Sequence, residues 1–197
     1  MRIIGVSGPT GSGKSVLTEH FASLGVPTVD ADALYHSMLI PPSDCLDAIR
    51  ASFGDEVFSH DGSLDRTALG ALVFANPEKL KLLNSTVLGL VLKRIRELIG
   101  EYEKNGANTV VIDAPTLIES GFHLECDTVI SVIAPSEDRV IRICQRDGIT
   151  EKKARERVAA QKDDVFYTSH SHHTIYTNGS IDQFLDTVRA VASKLIN

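Results

Sequence analysis

Residues 2–15 read RIIGVSGPTGSGKS, and this stretch decides the fold. Arg2–Ser7 is a short apolar run that predicts a buried strand. Gly8-Pro9-Thr10-Gly11-Ser12-Gly13-Lys14-Ser15 fits G-x-x-x-x-G-K-[ST] at every fixed position. Glycines let the backbone curl until several N–H groups face one set of phosphate oxygens. The helix that follows adds its N-terminal dipole and free donors. A lysine at position 14 reaches β- and γ-phosphates, and a serine hydroxyl at 15 is placed to ligate Mg²⁺. A random chain of this length matches the pattern roughly once in a hundred. Here it also sits between a predicted strand and a predicted helix. The expected nucleotide set is Gly8, Gly11, Ser12, Gly13, Lys14, Ser15 and Val16, binding ATP with Mg²⁺. The loop alone does not give the reaction, because it also serves GTPases and ATP-driven machines.

Working outward, Val16, Leu17, Phe21 and Leu24 recur at helical spacing, and Gly25 stops that helix. Pro27–Asp30 is a second short strand. Strand, glycine loop, helix and strand together predict a parallel α/β sheet. Residues 31–104 differ in kind, being rich in helical pattern and poor in strand signals. Helices are expected over 44–53, with Asp44 as N-cap, over 65–74, and from Pro77 to about Lys104, either as one helix or as two joined near Gly89. A helical block of about 70 residues exceeds an ordinary connection, so it reads as an inserted subdomain beside the sheet. Strands return at 108–113 and 127–133. Helices follow at 136–146 and 150–162, with Ser136 and Thr150 as N-caps. A last strand at 172–177 and a closing helix from Ser180 to Ile196 complete the chain.

Three carboxylates and three arginines are candidates for chemistry. Asp32 follows the second strand, where an acceptor hydroxyl needs a group to orient it and take its proton; the competing role is capping a helix that begins near Ala33. Asp113 ends the strand NTVVID and is placed to meet the metal, with Glu119 six residues on. Arg142 and Arg146, four apart, share a helix face, and with Arg157 they suit a lid that closes over the triphosphate. The competing role is a solvated basic face. His170, His172 and His173 have no carboxylate or cysteine spaced with them and are not read as a metal site.

Composition narrows the classes. The 197 residues are 43% hydrophobic and 23% charged, with a net charge of −6. That is ordinary globular usage without the basic surface of a nucleic-acid binder. Cys45, Cys126 and Cys144 are far apart and odd in number, so they form no zinc spacing or disulfide framework. No apolar stretch approaches the ~20 residues of a membrane helix. A soluble, cytoplasmic, monomeric protein is expected, with no nucleic-acid or membrane partner.

GVSGPTGSGKS at 5–15, LGVPTVDADAL at 24–34, DGSLDRTAL at 61–69, VFANPEKLKLLN at 73–84, VIDAPTLIESG at 111–121, QRDGIT at 145–150, RVAAQ at 157–161 and NGS at 178–180 follow one another along nearly the whole chain. In this order they resemble the dephospho-CoA kinase family. The resemblance implies a five-stranded parallel P-loop kinase core, built from residues 1–32, 105–135 and 170–197. It implies a helical acceptor subdomain over 33–104 and a helical lid over 136–169. The implied reaction is transfer of the γ-phosphate of ATP to the ribose 3′-hydroxyl of dephospho-CoA. Asp32 then matches the family's base, Lys14, Arg142 and Arg146 join it as catalytic residues, and Ser15 and Asp113 hold the metal. Thr116 stands where the family usually has leucine, and Leu88-Gly89 where it commonly has His-Pro, so no acceptor contact is carried over there. Two other readings of the loop are a small-molecule kinase with a nucleoside, nucleotide or sugar-acid acceptor, and a nucleotide-gated switch. The switch lacks an N-K-x-D guanine-reading segment.

Overall fold

The computed structural model describes Met1–Ile196 and divides the chain into two compact units. The first combines Met1–Asp30 with the chain from Glu101 onward; the second is Ala31–Gly100.

The first unit is built on five parallel strands: β1 (Arg2–Ser7), β2 (Thr28–Asp30), β3 (Thr109–Asp113), β4 (Thr128–Ile133) and β5 (His173–Tyr176). Their order across the sheet is β2-β3-β1-β4-β5, so β1 is central. Central parallel strands are covered on both faces, which is why they read as unbroken apolar runs. Ile4, Val6, Val111, Ile130 and Val132 are buried accordingly. Leu17 and Phe21 of helix α1 (Lys14–Ser23), and Phe184 and Val188 of the C-terminal helix α9 (Ile181–Ile196), join them in one core cluster. Leu17 and Phe21 are fully buried. Burial of each such side chain contributes about 1.5–3 kcal/mol, which fixes α1 and hence the loop before it.

The second unit is helical: α2 (Ala31–Ser37), α3 (Asp44–Phe53), α4 (Arg66–Phe74) and most of α5 (Pro77–Lys104). Cys45, Ile49, Phe53, Val57, Leu69 and Val73 form its own core. Short polar side chains start these helices. Asp65 Oδ1 accepts from the N–H groups of Thr67 and Ala68, both at 2.9 Å. Asn76 Oδ1 accepts from Glu78 and Lys79, with Pro77 at the first helical position, where its missing N–H costs nothing. The cap of α3 is Ser43, whose Oγ accepts from Cys45 N–H at 3.1 Å, and not Asp44 as its sequence suggested. Asp44 is already inside the helix, where its charge meets the dipole.

Helix α5 is one uninterrupted element of 28 residues through Gly89. A Cβ at Gly89 would meet nothing within 4 Å. Gly89→Ala is therefore expected to raise stability by about 0.5–1 kcal/mol, read as an upward shift of the urea midpoint at constant slope.

The return to the first unit carries α6 (Ser136–Asp147), α7 (Glu151–Ala159) and α8 (Asp164–Thr168). Pro135, not Ser136, holds the cap position of α6, and it has no side-chain cap bond. Thr150 stands at the cap of α7, also without a side-chain bond. Helix α7 ends at Ala159 rather than near 162. The five-residue α8 was not legible, because one turn has no period; Asp163 Oδ1 caps it through Phe166 N–H at 2.9 Å.

Candidate active site

The loop Gly8–Gly13 leaves the C-terminal end of the central strand and enters α1 directly. Parallel sheets place ligands at this end. Gly8 has φ of 135°, and a Cβ there would stand 2.3 Å from the Val132 carbonyl oxygen, so only glycine fits. Gly11, at φ 76°, lies against α6, where a Cβ would stand 2.9 Å from Arg139 O. Lys14 Nζ donates to Gly8 O at 2.7 Å and Pro9 O at 3.2 Å. The ammonium is thus held over the loop's own backbone. Ser12 is fully buried and its hydroxyl has no hydrogen-bond partner among the described residues.

Register places the strand carboxylates beside the loop. Val6 pairs with Asp113, and Asp113 pairs with Asp30 across β2 and β3. Asp113 therefore neighbours the last residues before Gly8 at the sheet's C-terminal edge. Asp32 is exposed in the first turn of α2. That helix begins at Ala31, earlier than its sequence suggested, so Asp32 is a first-turn residue rather than a cap preceding Ala33.

The arginines of α6 turn toward the loop. Arg142 Nη1 lies 3.2 Å from Gly11 O, 3.3 Å from Ser12 O and 3.1 Å from Thr177 Oγ1. Thr177 Oγ1 also donates to Ser12 O at 3.2 Å. Arg146 pairs with Asp147 at 2.7 Å and lies 3.5 Å from Thr10 Oγ1. Arg157 pairs with the same carboxylate. Hydrogen bonding from Arg146, then the charges of both arginines, hold the Asp147 carboxyl below its usual range. Asp147 thereby orients two guanidinium groups at once. Sequence reasoning missed Asp147, Thr177, Arg139 and Gln161. The spacing of Arg139 to Arg142 and Arg146, three and seven residues, was the available signal for one of them.

Other expected groups stand elsewhere. Glu119 precedes the turn Phe122–Glu125, beyond β3. His172 Nδ1 accepts from Val129 N–H at 2.9 Å, and His170 Nδ1 lies 2.7 Å from Phe166 O, so both serve local backbone. Burial, then the charges of Glu125 and Asp127, push the Cys126 thiol up to about 12. A thiol so protonated is a poor nucleophile.

The helical unit has a cleft of its own, of about 360 Å³ and mostly apolar, lined by Tyr35, Leu39, Arg66, Gly70, Phe74 and Asn84 among others. That is within the usual range for small-molecule pockets. Phe74 is 80% exposed, a large aromatic left in solvent.

A phosphate loop between a central parallel strand and α1, a carboxylate on the next strand, and arginines on a later helix define a P-loop kinase. Residues 2–183 match the model of the dephospho-CoA kinase family (CoaE), and the chain belongs to that family. It is 35% identical over 190 residues to the dephospho-CoA kinase of Symbiobacterium thermophilum, covering 96% of this chain and 80% of that one. A crystal structure from Thermus thermophilus matches with TM-score 0.80 and 31% identity, covering 100% of this chain and 98% of the other. The dephospho-CoA kinase structure from Campylobacter jejuni matches with TM-score 0.73 and 26% identity over the same shares. Among the described residues no helix is long and apolar enough to cross a membrane.

Proposed function

We propose that Gly8–Ser15 holds the triphosphate of ATP and that its γ-phosphoryl group passes to the ribose 3′-hydroxyl of dephospho-CoA. Family membership gives the reaction, ATP-dependent phosphorylation of dephospho-CoA. The observation that supports the residue assignment is the register Val6↔Asp113, which sets a carboxylate beside the strand that feeds the loop. Lys14 neutralises charge on the β- and γ-oxygens. The buried Ser12 hydroxyl and the loop N–H groups are the donors that fit phosphate. Ser15 and Asp113 offer hard oxygens of the kind Mg²⁺ takes, and a nucleotide-borne ion needs only one or two from the protein. When bound, the ion would offset negative charge on the phosphates. Asp32 orients the acceptor hydroxyl and accepts its proton. Arg146, held by Asp147, faces the charge that develops on the transferred group, with Arg157 beside it and Arg142 holding the loop. The cleft at Tyr35, Arg66 and Phe74 is the proposed seat for the acceptor's pantetheine arm. We take the protein to act as a cytoplasmic monomer without nucleic-acid partners.

The test is an acceptor panel scored by ADP release. Dephospho-CoA is expected to give CoA and stoichiometric ADP, while nucleosides, nucleotides and sugar acids give background rates. Turnover of another acceptor with none of dephospho-CoA would overturn the assignment.

A further inference from the structure

Three guanidinium groups on one face of α6 reach the phosphate loop, and one of them does so from a buried position. Arg139 is 5% exposed, and it is the one buried charged side chain among the described residues. Desolvation of a guanidinium is unfavourable unless its donors are matched. Here one donor is matched by the loop and one by Gln161. Arg139 Nε donates to Thr10 O at 3.0 Å, and its Nη2 donates to Gln161 Oε1 at 2.8 Å. The same Gln161 oxygen accepts the Thr10 N–H at 2.8 Å. Both backbone polar groups of Thr10 are therefore held from outside the loop. The two holding side chains lie 22 residues apart, one on α6 and one in the segment after α7.

Peptide planarity gives this a consequence. In a trans peptide the C=O of one residue and the N–H of the next point opposite ways. Arg139 draws the Thr10 carbonyl toward α6, and Arg142 draws those of Gly11 and Ser12 the same way. The N–H groups of Gly11 and Gly13 then face away from α6. A loop with glycine at positions 8, 11 and 13 has many other conformations open to it.

We propose that Arg139 and Gln161 are positioning residues that clamp Thr10, so that the loop's N–H groups are aimed before the triphosphate arrives. The proposal rests on the reading that this loop binds ATP. Neither side chain touches the reacting atoms in this scheme; both act through the loop.

Gln161 is exposed, so its variants should fold, and its oxygen is the acceptor in both bonds. Gln161→Glu keeps that acceptor, while Gln161→Leu keeps the size and removes it. Gln161→Leu, which removes both hydrogen bonds to that oxygen, is expected to raise KM for ATP and Kd for ADP by about tenfold. KM for dephospho-CoA should stay within about twofold, since the clamp acts on the loop assigned to the nucleotide. Gln161→Glu should return ATP and ADP affinity to within about twofold of wild type. Arg139→Met, which fills the buried site without donors, should match Gln161→Leu in ADP affinity. Equal behaviour of the Leu and Glu variants, or an Arg139→Met protein with wild-type ADP affinity, overturns the clamp. ADP titration by calorimetry needs no turnover. Wild-type protein that binds ADP but leaves dephospho-CoA untouched would instead sink the assigned reaction and leave the clamp standing on its own data.

Discussion

Lys14→Ala is expected to lower kcat/KM for ATP and dephospho-CoA by about a thousandfold, or about 4 kcal/mol of transition-state stabilisation. The size follows from charge. A unit positive charge about 4 Å from a unit negative charge, at the effective dielectric of a protein surface, contributes about 4 kcal/mol. The developing charge of phosphoryl transfer sits where such a group acts. The structure adds a second role, because the same ammonium donates to the carbonyls of Gly8 and Pro9. Bonds from a charged donor contribute about 1.5–3 kcal/mol each at most, so the melting temperature should fall by about 5–20 °C, and the assay is run well below it. Lys14→Arg separates the roles. It keeps the charge, yet its planar fork replaces a compact ammonium with rotatable donors, so a partial loss of about ten- to a hundredfold is expected. A steady-state assay of ADP release, paired with ADP titration, reads both. Lys14→Ala activity within tenfold of wild type would remove Lys14 from the phosphate site.

What was legible in the sequence shares one property: its structural requirement is local. The loop needs glycines, a lysine and a hydroxyl at fixed spacing, so it reads from the chain alone. The central strands read from continuous β-branched runs because both their faces are buried. The helical pattern of 31–104 read from period and length; the compact helical unit of the structure is Ala31–Gly100. The misreadings have the opposite property. Cap positions depend on one residue of chain direction, so Ser43 displaced Asp44, and Pro135 displaced Ser136. Whether Gly89 breaks a helix depends on what packs along it, and α5 runs straight through. Arg139 is the sharpest case. An arginine on a polar helix looks the same in sequence whether it faces water or the Thr10 carbonyl. Only the placement of α6 against Gly11 decides, and that placement follows from the sheet order. Gln161 appeared within a stretch that carried the family resemblance, but its bond to Thr10 spans 151 residues of chain.

Asp32→Asn is expected to lower kcat by about 10²–10⁴-fold while ADP affinity stays within about threefold, because the amide keeps the shape and loses the proton acceptor. The contrast with Lys14 is the point of the experiment: one variant damages the donor side, the other only the transfer. A competing account makes Asp32 a helix residue whose charge serves the dipole of α2. The structure bounds that account, since Asp32 stands in the first turn of a seven-residue helix and is exposed. A surface charge there contributes about 0.3–1 kcal/mol to stability, too little to remove turnover from a folded enzyme. The two accounts therefore part on measurement. A base role predicts a large fall in kcat and an unchanged melting curve within a few degrees. A dipole role predicts a small fall in stability and near-normal kcat. Asp30 supplies the control, because it lies two residues away at the end of β2, paired with Asp113. Asp30→Asn perturbs the carboxylate edge next to Asp113, the proposed metal ligand, so its effect should depend on Mg²⁺ concentration, whereas that of Asp32→Asn should not. Equal Mg²⁺ dependence in both would move Asp32 from the acceptor's proton to the ion.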